Sequence, residues 1–410
     1  MQQGSILPFL EKKKPSRPQN SRQGQPYHSR PNSTSNSDSA GRHRGPNHRR
    51  NMHLKLIANE TKQELPGILA QISALNATEA SAHNFMELDA LDENDCPGFV
   101  LPYGDEDAGK KGTRIRVFDM DTFDAALLLD PNYKVYTHLG LPKPLAPEND
   151  FRSEPNNHFA VSSLTSPLLD HVNSSDPHEL ESGREGLITP EDVQDDAQLT
   201  TATRQRTPKP VAVLNLASER SPGGGWHNGA LAQEECLCYR SSLYLSLHRR
   251  YYPLPSLSAI YSPSVVLIRD AMSRGHGLLT PYELPENLPV TSVISVAALR
   301  RPPLTDDRKF YRNAGLRAET KRKIRVTIRV AALKGHTKIV LGAMGCGVFA
   351  NPPKEVAECF LEVLRENEFQ GGWWEEVAFA VLDNVKGPQG GKDGEGNFGV
   401  FYRVLDGQVV

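Results

Sequence analysis

The chain has 410 residues, 38% hydrophobic and 23% charged, with a formal net charge of −2. That length fits two or three domain-sized units, but the apolar share is low for a wholly folded chain, so tails or linkers are expected. No apolar run approaches the length of a membrane span, the N-terminus lacks the pattern of a secretory signal, and the near-neutral total argues against a protein that simply coats nucleic acid. The five cysteines, Cys96, Cys236, Cys238, Cys346 and Cys359, form neither a Cys-x-x-Cys pair nor a zinc spacing, and read as reduced intracellular thiols with no metal site.

In chain order, residues 1–53 are expected to be a disordered basic arm. Residues 1–55 carry 11 Lys and Arg against Glu11 and Asp38, with almost no apolar residue after Leu10. Such a segment cannot offset its ordering entropy by burial. Its first residues hold the pattern Gln3-x-x-Ile6-x-x-Phe9-Leu10, which resembles the peptide by which replication and repair proteins bind the sliding clamp, the proliferating cell nuclear antigen (PCNA). In a 3₁₀ turn Ile6, Phe9 and Leu10 come to one side as a plug, with Gln3 as polar anchor. The same cluster could instead pack onto the folded body as a terminal strand. The basic groups Lys12 to Lys14 and Arg42 to Arg50 suit nuclear import or attraction to nucleic acid, or merely solvate the tail.

Residues 54–135 read as a folded, helical extension. Leu56, Ile57, Leu65, Ile68, Leu69 and Ile72 recur at helical spacing, with a break or kink expected at Pro66-Gly67. Arg114 to Phe118 alternates like a strand, and Asp121 is placed to cap a helix over 122–129. Residues 136–208 read as a largely disordered acidic insertion, with twelve acids from Glu148 to Asp196 against Arg152 and Arg184. From 209 to 406 short apolar runs alternate with helical stretches, which predicts a three-layer α/β/α domain. Strands are expected at 211–214, 293–298, 339–341, 377–382 and 400–405. Helical stretches are expected over 230–252, on a face marked by Leu316, Ile324, Ile328 and Ala331, and over Val356 to Leu364, the last with Asn351 as N-cap and Pro352 at its first position.

Chemistry concentrates at two strand–helix junctions. The first is Asn215-Leu-Ala-Ser-Glu-Arg-Ser-Pro-Gly-Gly-Gly-Trp-His-Asn-Gly-Ala-Leu-Ala-Gln-Glu-Glu235. Gly223, Gly224 and Gly225 let the backbone approach a ligand closely, and free N–H groups there suit phosphate oxygens. A bare glycine triplet is more often a flexible turn, and a bare Glu-Glu pair a solvated helix face. Together, with Gln233-Glu234-Glu235 opening the helix after the loop, they suggest one acid at a scissile bond and one anchoring hydroxyls. The two acids project about 100° apart on a helix, so they are not expected to serve the same atom. Their mutual proximity should raise a proton affinity. The second junction is Leu341-Gly-Ala-Met-Gly-Cys-Gly-Val-Phe-Ala-Asn-Pro-Pro353, whose helix start directs its positive end at Gly345 and Gly347. Two such loops suggest a diphosphate held from both sides, and neither has the full dinucleotide fingerprint of a Rossmann site.

Gly223-Gly224-Gly225, seven residues, then Gln233-Glu234-Glu235 resembles the signature of poly(ADP-ribose) glycohydrolases. Leu214-Asn-Leu-Ala-Ser, Tyr261-Ser-Pro and Gly345-Cys-Gly-Val-Phe-Ala-Asn-Pro-Pro353 resemble the microbial-type branch. Met344 and Trp226 depart from that branch's pattern. The resemblance implies a macrodomain-like fold with an N-terminal helical extension and hydrolysis of ribose–ribose bonds without cofactor or metal. It makes Glu235 the general acid and Glu234 the anchor of ribose hydroxyls. It places Asn215 near the ribose and Phe349 against it, and it places Gly223, Gly224, Gly225, Gly345, Cys346, Gly347 and Val348, with Gln233, around the ADP-ribose. Poly(ADP-ribose) or ADP-ribosylated proteins would be the substrates, in the nucleus and also in the cytoplasm, in the service of DNA repair. A reader that binds ADP-ribose without cleaving it, or a hydrolase of single ADP-ribose units, is the alternative. His227 is expected to shape the loop or face solvent.

Overall fold

The computed structural model describes residues 46–144 and 208–410. The clamp-type peptide with Gln3, Ile6, Phe9 and Leu10, and residues 145–207 of the acidic stretch, lie outside the described residues. In chain order the elements are α1 (Pro46–Gln71), β1 (Ser81–Asn84), β2 (Arg116–Phe118), α2 (Thr122–Leu129), α3 (Val135–His138), β3 (Ala212–Leu216), α4 (Gln233–Arg240), α5 (Leu243–Ser246), β4 (Ser258–Val266), β5 (Val290–Val296), α6 (Ala314–Leu333), β6 (Lys338–Leu341), α7 (Pro353–Leu364), β7 (Glu376–Ala380) and α8 (Asn397–Leu405). Among the described residues no helix is long and apolar enough to cross a membrane.

The strands form one seven-stranded sheet in the order β1-β4-β5-β3-β6-β7-β2. β5, β3, β6, β7 and β2 run parallel, while β4 is antiparallel to β5 and β1 antiparallel to β4. Successive side chains of a strand point to opposite faces, so apolar strands must be covered on both sides. Ala212, Leu214, Ile294, Ile339, Leu341, Val377 and Phe379 join one core with Ile324 and Ile328 of α6, Phe360 of α7 and Phe401 of α8. The intervening Val213, Val293, Val340, Ala378 and Ala380 join a second core with Ile57 of α1, Phe123 of α2 and Leu237 of α4. This is the three-layer α/β/α arrangement that the alternation of strand and helix predicts.

Several local expectations need correction. Pro66 does not break α1, although it removes one helical N–H. Tertiary burial of Leu54, Ile57, Ala58, Leu65 and Ile68 holds the helix through it. Of the expected stripe, Ile57, Leu65, Ile68 and Ile72 are buried, whereas Leu56 is 63% exposed and Leu54 and Ala58 take the buried positions beside Ile57. α1 also begins at Pro46, inside the span read as basic arm, and α3 occupies residues assigned to the acidic insertion.

Residues 230–252 are not one helix. Ser241 turns extended, its hydroxyl donates to Leu237 O (2.7 Å), and it accepts from Leu243 N (3.2 Å), which ends α4 and starts α5. The run 400–405, read as a strand, lies in α8, because Phe398, Phe401 and Leu405 are buried at helical spacing. Asn351 is not the cap of α7. Pro352 takes that position, and the Asn351 amide is used elsewhere. Asp121 does cap α2, accepting from Phe123 N at 2.9 Å.

Candidate active site

β3 and β6 are parallel neighbours, so the two glycine-rich loops leave the sheet side by side at carboxyl ends, where open α/β sheets place their ligands. β5, the other parallel neighbour of β3, brings a third connection to the same edge.

The first loop is built around its own carboxylates. Gly223, Gly224 and Gly229 have φ of 66°, 57° and 77°, conformations that side chains rarely adopt. A Cβ at Gly224 would overlap Glu235 Oε1 and lie 3.1 Å from Glu234 Oε2. Gly224 is therefore glycine because two carboxyl groups converge beneath it, a reason the sequence does not display. Although the two acids diverge along α4, both carboxyl groups come close to this one glycine. Glu235 Oε1 accepts from Gly225 N at 2.9 Å, and Glu234 Oε2 accepts from Ser218 N at 2.7 Å. Asn215 Nδ2 donates to Glu234 Oε1 (3.4 Å) and to Ser295 Oγ (3.0 Å).

Both acids are buried. Burial first, and the charge of Glu235 second, push the Glu234 carboxyl up to about 8, against the opposing hydrogen bond from Ser218 N. The raised proton affinity expected of the pair is thus found on Glu234. Two further polar atoms are buried without protein partners, Asn215 Oδ1 and the Tyr252 hydroxyl. Burial and then the Glu234 charge raise the proton affinity of that hydroxyl.

The raised carboxyl has a consequence for folding. Glu234 ordinarily titrates near 4.5, so between about 4.5 and 8 the folded chain keeps a proton that the unfolded chain has released. Its contribution to stability is full below about 4.5 and is lost as pH rises through about 8. For Glu234→Gln, melting temperatures from pH 5 to 9 should therefore decline less steeply than for the wild type; parallel curves would contradict the raised value.

The Gln233 amide is bonded within the protein at the carboxyl end of β3. Its Oε1 accepts from Leu216 N (2.8 Å), and its Nε2 donates to Leu214 O (2.8 Å) and Thr122 Oγ1 (3.1 Å), tying α4 to β3 and α2. The other end of α4 is held by Arg240, 1% exposed, which is paired with Asp121 and, at 2.8 Å, Asp124. Trp226 is buried rather than stacked on a ligand surface, packing against Tyr244 (centroids 4.8 Å) and edge-on against Tyr239 (6.0 Å). His227 is exposed and lies edge-on to Trp226 at 5.8 Å, as a loop-shaping residue does.

The Tyr239 hydroxyl sits between the carbonyl oxygens of Trp226 (2.9 Å) and Ala230 (2.7 Å), pinning the loop to α4. Tyr239→Phe removes the hydroxyl donor from Ala230 O, while Trp226 O keeps Gly229 N (3.0 Å), and should cost about 1–3 kcal/mol, seen as a lower melting temperature. An unchanged melt would show that the loop is held by its glycines and Trp226 alone. α1 closes the back of the loop: a Cβ at Gly229 would overlap Asn51 O, and Lys62 Nζ lies 4.9 Å from the Trp226 ring centre.

In the second loop, Gly345 has φ of 72°, and a Cβ there would overlap the Asn351 amide and lie 2.7 Å from Ala298 Cβ. Asn351 Nδ2 donates to Leu299 O (2.7 Å) and Gly345 O (3.1 Å), and its Oδ1 accepts from the Tyr311 hydroxyl (2.8 Å). Gly345 thus serves the packing of its loop, whereas Gly347 opens on free space and Val348 is 68% exposed. Burial raises the proton affinity of the Cys346 thiol, and its Sγ is 3.6 Å from Met344 O. Met344 lies buried under the loop, so this departure from the family pattern changes support rather than lining. Phe349 is half-buried beneath the Arg300 guanidinium at 5.7 Å. The N-terminus of α7 follows directly; Pro352 and Pro353 carry no N–H, so its first turn has only those of Lys354 and Glu355 to offer an anion. Ser218, Tyr239, Tyr252 and Asn351 complete the site; the sequence offered Ser218 and Asn351 only as members of the words that carry the resemblance, and gave no signal for Tyr239 or Tyr252.

Residues 146–270 match the family model for the catalytic domain of microbial-type PARG, a span that contains the first glycine loop with Glu234 and Glu235. The crystal structure of poly(ADP-ribose) glycohydrolase (PARG) from Thermomonospora curvata is similar over 86% of this chain and 99% of its own, at 23% identity and a TM-score of 0.50. The same enzyme bound to the inhibitor ADP-HPD matches with the same coverage, identity and TM-score. PARG from Deinococcus radiodurans in complex with ADP-ribose is 35% identical over 48% of this chain and 75% of its own, with a TM-score of 0.38. No curated protein matches the chain.

Proposed function

We propose that this chain, which is similar to the microbial-type PARG catalytic domain over residues 146–270, hydrolyses the ribose–ribose O-glycosidic bonds of poly(ADP-ribose) and releases ADP-ribose. The observation that carries the reading is the convergence of Glu234 and Glu235 beneath Gly224, with Glu235 held by Gly225 N at 2.9 Å. A loop that served only to bind a diphosphate would have no use for a carboxyl group positioned by its own backbone.

In this reading Glu235 Oε1 is fixed by Gly225 N, and its other oxygen has no protein donor among the described residues. That oxygen carries the proton to the glycosidic oxygen as the bond breaks. Glu234, pushed up to about 8, is mostly neutral at pH 7 and adds no negative charge beside a bound diphosphate. Its carboxyl, oriented by Ser218 N and Asn215, positions the ribose hydroxyls. Exposed backbone at Gly347 offers an N–H to the diphosphate. Most glycosidases place two carboxyl groups across the bond, whereas here both stand on the first turn of α4, so the substrate's own diphosphate is left to steady the positive charge that develops on the sugar. A water adds to that sugar carbon and returns its proton to Glu235.

The test is incubation of the purified chain with defined poly(ADP-ribose) and, separately, with mono-ADP-ribosylated protein. Release of ADP-ribose from polymer supports the reading. Cleavage of the single unit alone makes the chain a mono-ADP-ribosyl hydrolase, and binding without release makes it a reader. We further propose that the enzyme works in the nucleus, and also in the cytoplasm, at DNA repair. Lys12 to Lys14 and the Gln3-x-x-Ile6-x-x-Phe9-Leu10 pattern support this. A peptide of residues 1–18 should bind PCNA and lose binding when Ile6 and Phe9 become Ala; binding that survives the double change would contradict the motif.

A further inference from the structure

We propose that the β5–α6 connection is a track for the diphosphates of neighbouring ADP-ribose units, so that the chain grips polymer more tightly than a lone unit. This rests on the glycohydrolase reading above. The connection starts at the ligand edge and touches both glycine-rich loops. Arg300 lies over the Phe349 ring of the second loop, and its Nη1 is 3.6 Å from Glu219, which precedes the first. Arg301 N donates to Phe349 O at 2.8 Å, with Arg301 held at φ 48°, a left-handed conformation costly for a residue with a side chain.

Beyond this corner, residues 304–311 form a hairpin, with Leu304 bridged to Tyr311 and Thr305 N donating to Phe310 O at 3.0 Å. The hairpin is rooted at the second loop. Tyr311 N donates to Glu355 at 2.5 Å, and the Tyr311 hydroxyl donates to Asn351, the residue that holds Gly345. Its position relative to the site is therefore fixed rather than that of a free-swinging tip.

The surface so placed is cationic. Arg300, Arg301, Arg308, Lys309 and Arg312 are exposed, against Asp306 and Asp307, in a chain whose total charge is −2. Asp306 is 3.6 Å from Arg312, and Asp307 is occupied by Thr305 Oγ1 (2.6 Å) and Lys309 N (3.1 Å). The side chains of Arg301 and Arg308 have no partner among the described residues. Phe310, 48% exposed, adds an aromatic face beside these cations, the pairing that single-stranded nucleotide polymers use, with charge on the backbone and stacking on the base. A nucleic acid offers similar chemistry. Continuity with Phe349 and Glu219 favours the polymer whose end occupies the loops.

The test uses full-length protein with Arg301, Arg308 and Lys309 changed together to Gln, melting as the wild type does. On a Glu235→Gln background, binding of long poly(ADP-ribose) should weaken about tenfold, with a salt slope shallower by about two, while free ADP-ribose binds unchanged. In the active enzyme kcat/KM should fall on long polymer through KM, and by less on a two-unit substrate, which offers the track a single neighbouring diphosphate. Unchanged polymer binding, or equal losses for polymer and free ADP-ribose, overturns the track, as does a loss confined to single-stranded DNA. A wild type that binds polymer but releases nothing refutes the glycohydrolase reading instead, and the binding comparison still decides the track.

Discussion

Glu235→Gln is expected to leave ADP-ribose binding and the melting temperature near wild-type levels while lowering kcat on poly(ADP-ribose) by about 10²–10⁴, the range of a lost general acid. The amide oxygen can still accept from Gly225 N, so the loop keeps the bond that now measures 2.9 Å. What is lost is an acidic proton for the glycosidic oxygen. Steady-state release of ADP-ribose together with calorimetry separates the two effects. A Glu235→Gln variant that turns over polymer at a wild-type rate would remove Glu235 from the chemistry.

Gly224→Ala is expected to be almost as damaging, through position rather than proton. The added Cβ would overlap Glu235 Oε1 and press on Glu234 Oε2 at 3.1 Å, and the backbone sits at φ 57°. Either the loop opens or both carboxyl groups withdraw, and a displacement of about 1 Å at the reacting group costs about 10² in rate. The φ strain adds a cost of about 1 kcal/mol or more to stability, seen in the melt. The diagnostic feature is that kcat should fall far more than ADP-ribose affinity. Equal losses in both would show that Gly224 serves the diphosphate, as the sequence alone suggests, rather than the carboxyl pair.

The contrast between those outcomes marks where sequence ceases to inform. The parallel strands were legible because Val211 to Leu214 or Ile339 to Leu341 are short, continuous apolar runs bounded by turn residues, as strands covered on both faces must be. The two glycine loops and the Glu234-Glu235 pair were legible because their residue types are unusual at a strand–helix junction. What each glycine avoids was not, since Gly224, Gly345 and Gly229 make room for Glu235, Asn351 and α1 respectively, all contacts made by folding. For the same reason Gln233, read with its neighbours as a ligand group, proves to be bonded to β3 and α2. The run at 400–405 misled because Val400, Phe401, Tyr402 and Val404 have high strand propensity, and only the packing of Phe398, Phe401 and Leu405 against α7 and β7 selects the helix. Arg240 gave no signal at all: its partners Asp121 and Asp124 lie more than a hundred residues away.

The measurement that bears most directly on the account is the time course of ADP-ribose release from purified poly(ADP-ribose) by the full-length chain, beside its Glu235→Gln variant at matched binding. The account predicts steady release of free ADP-ribose by the wild type and release lower by about 10² or more by the variant, with both proteins binding ADP-ribose alike. A wild type that binds polymer without releasing ADP-ribose, or a variant that releases it at the same rate, would contradict it.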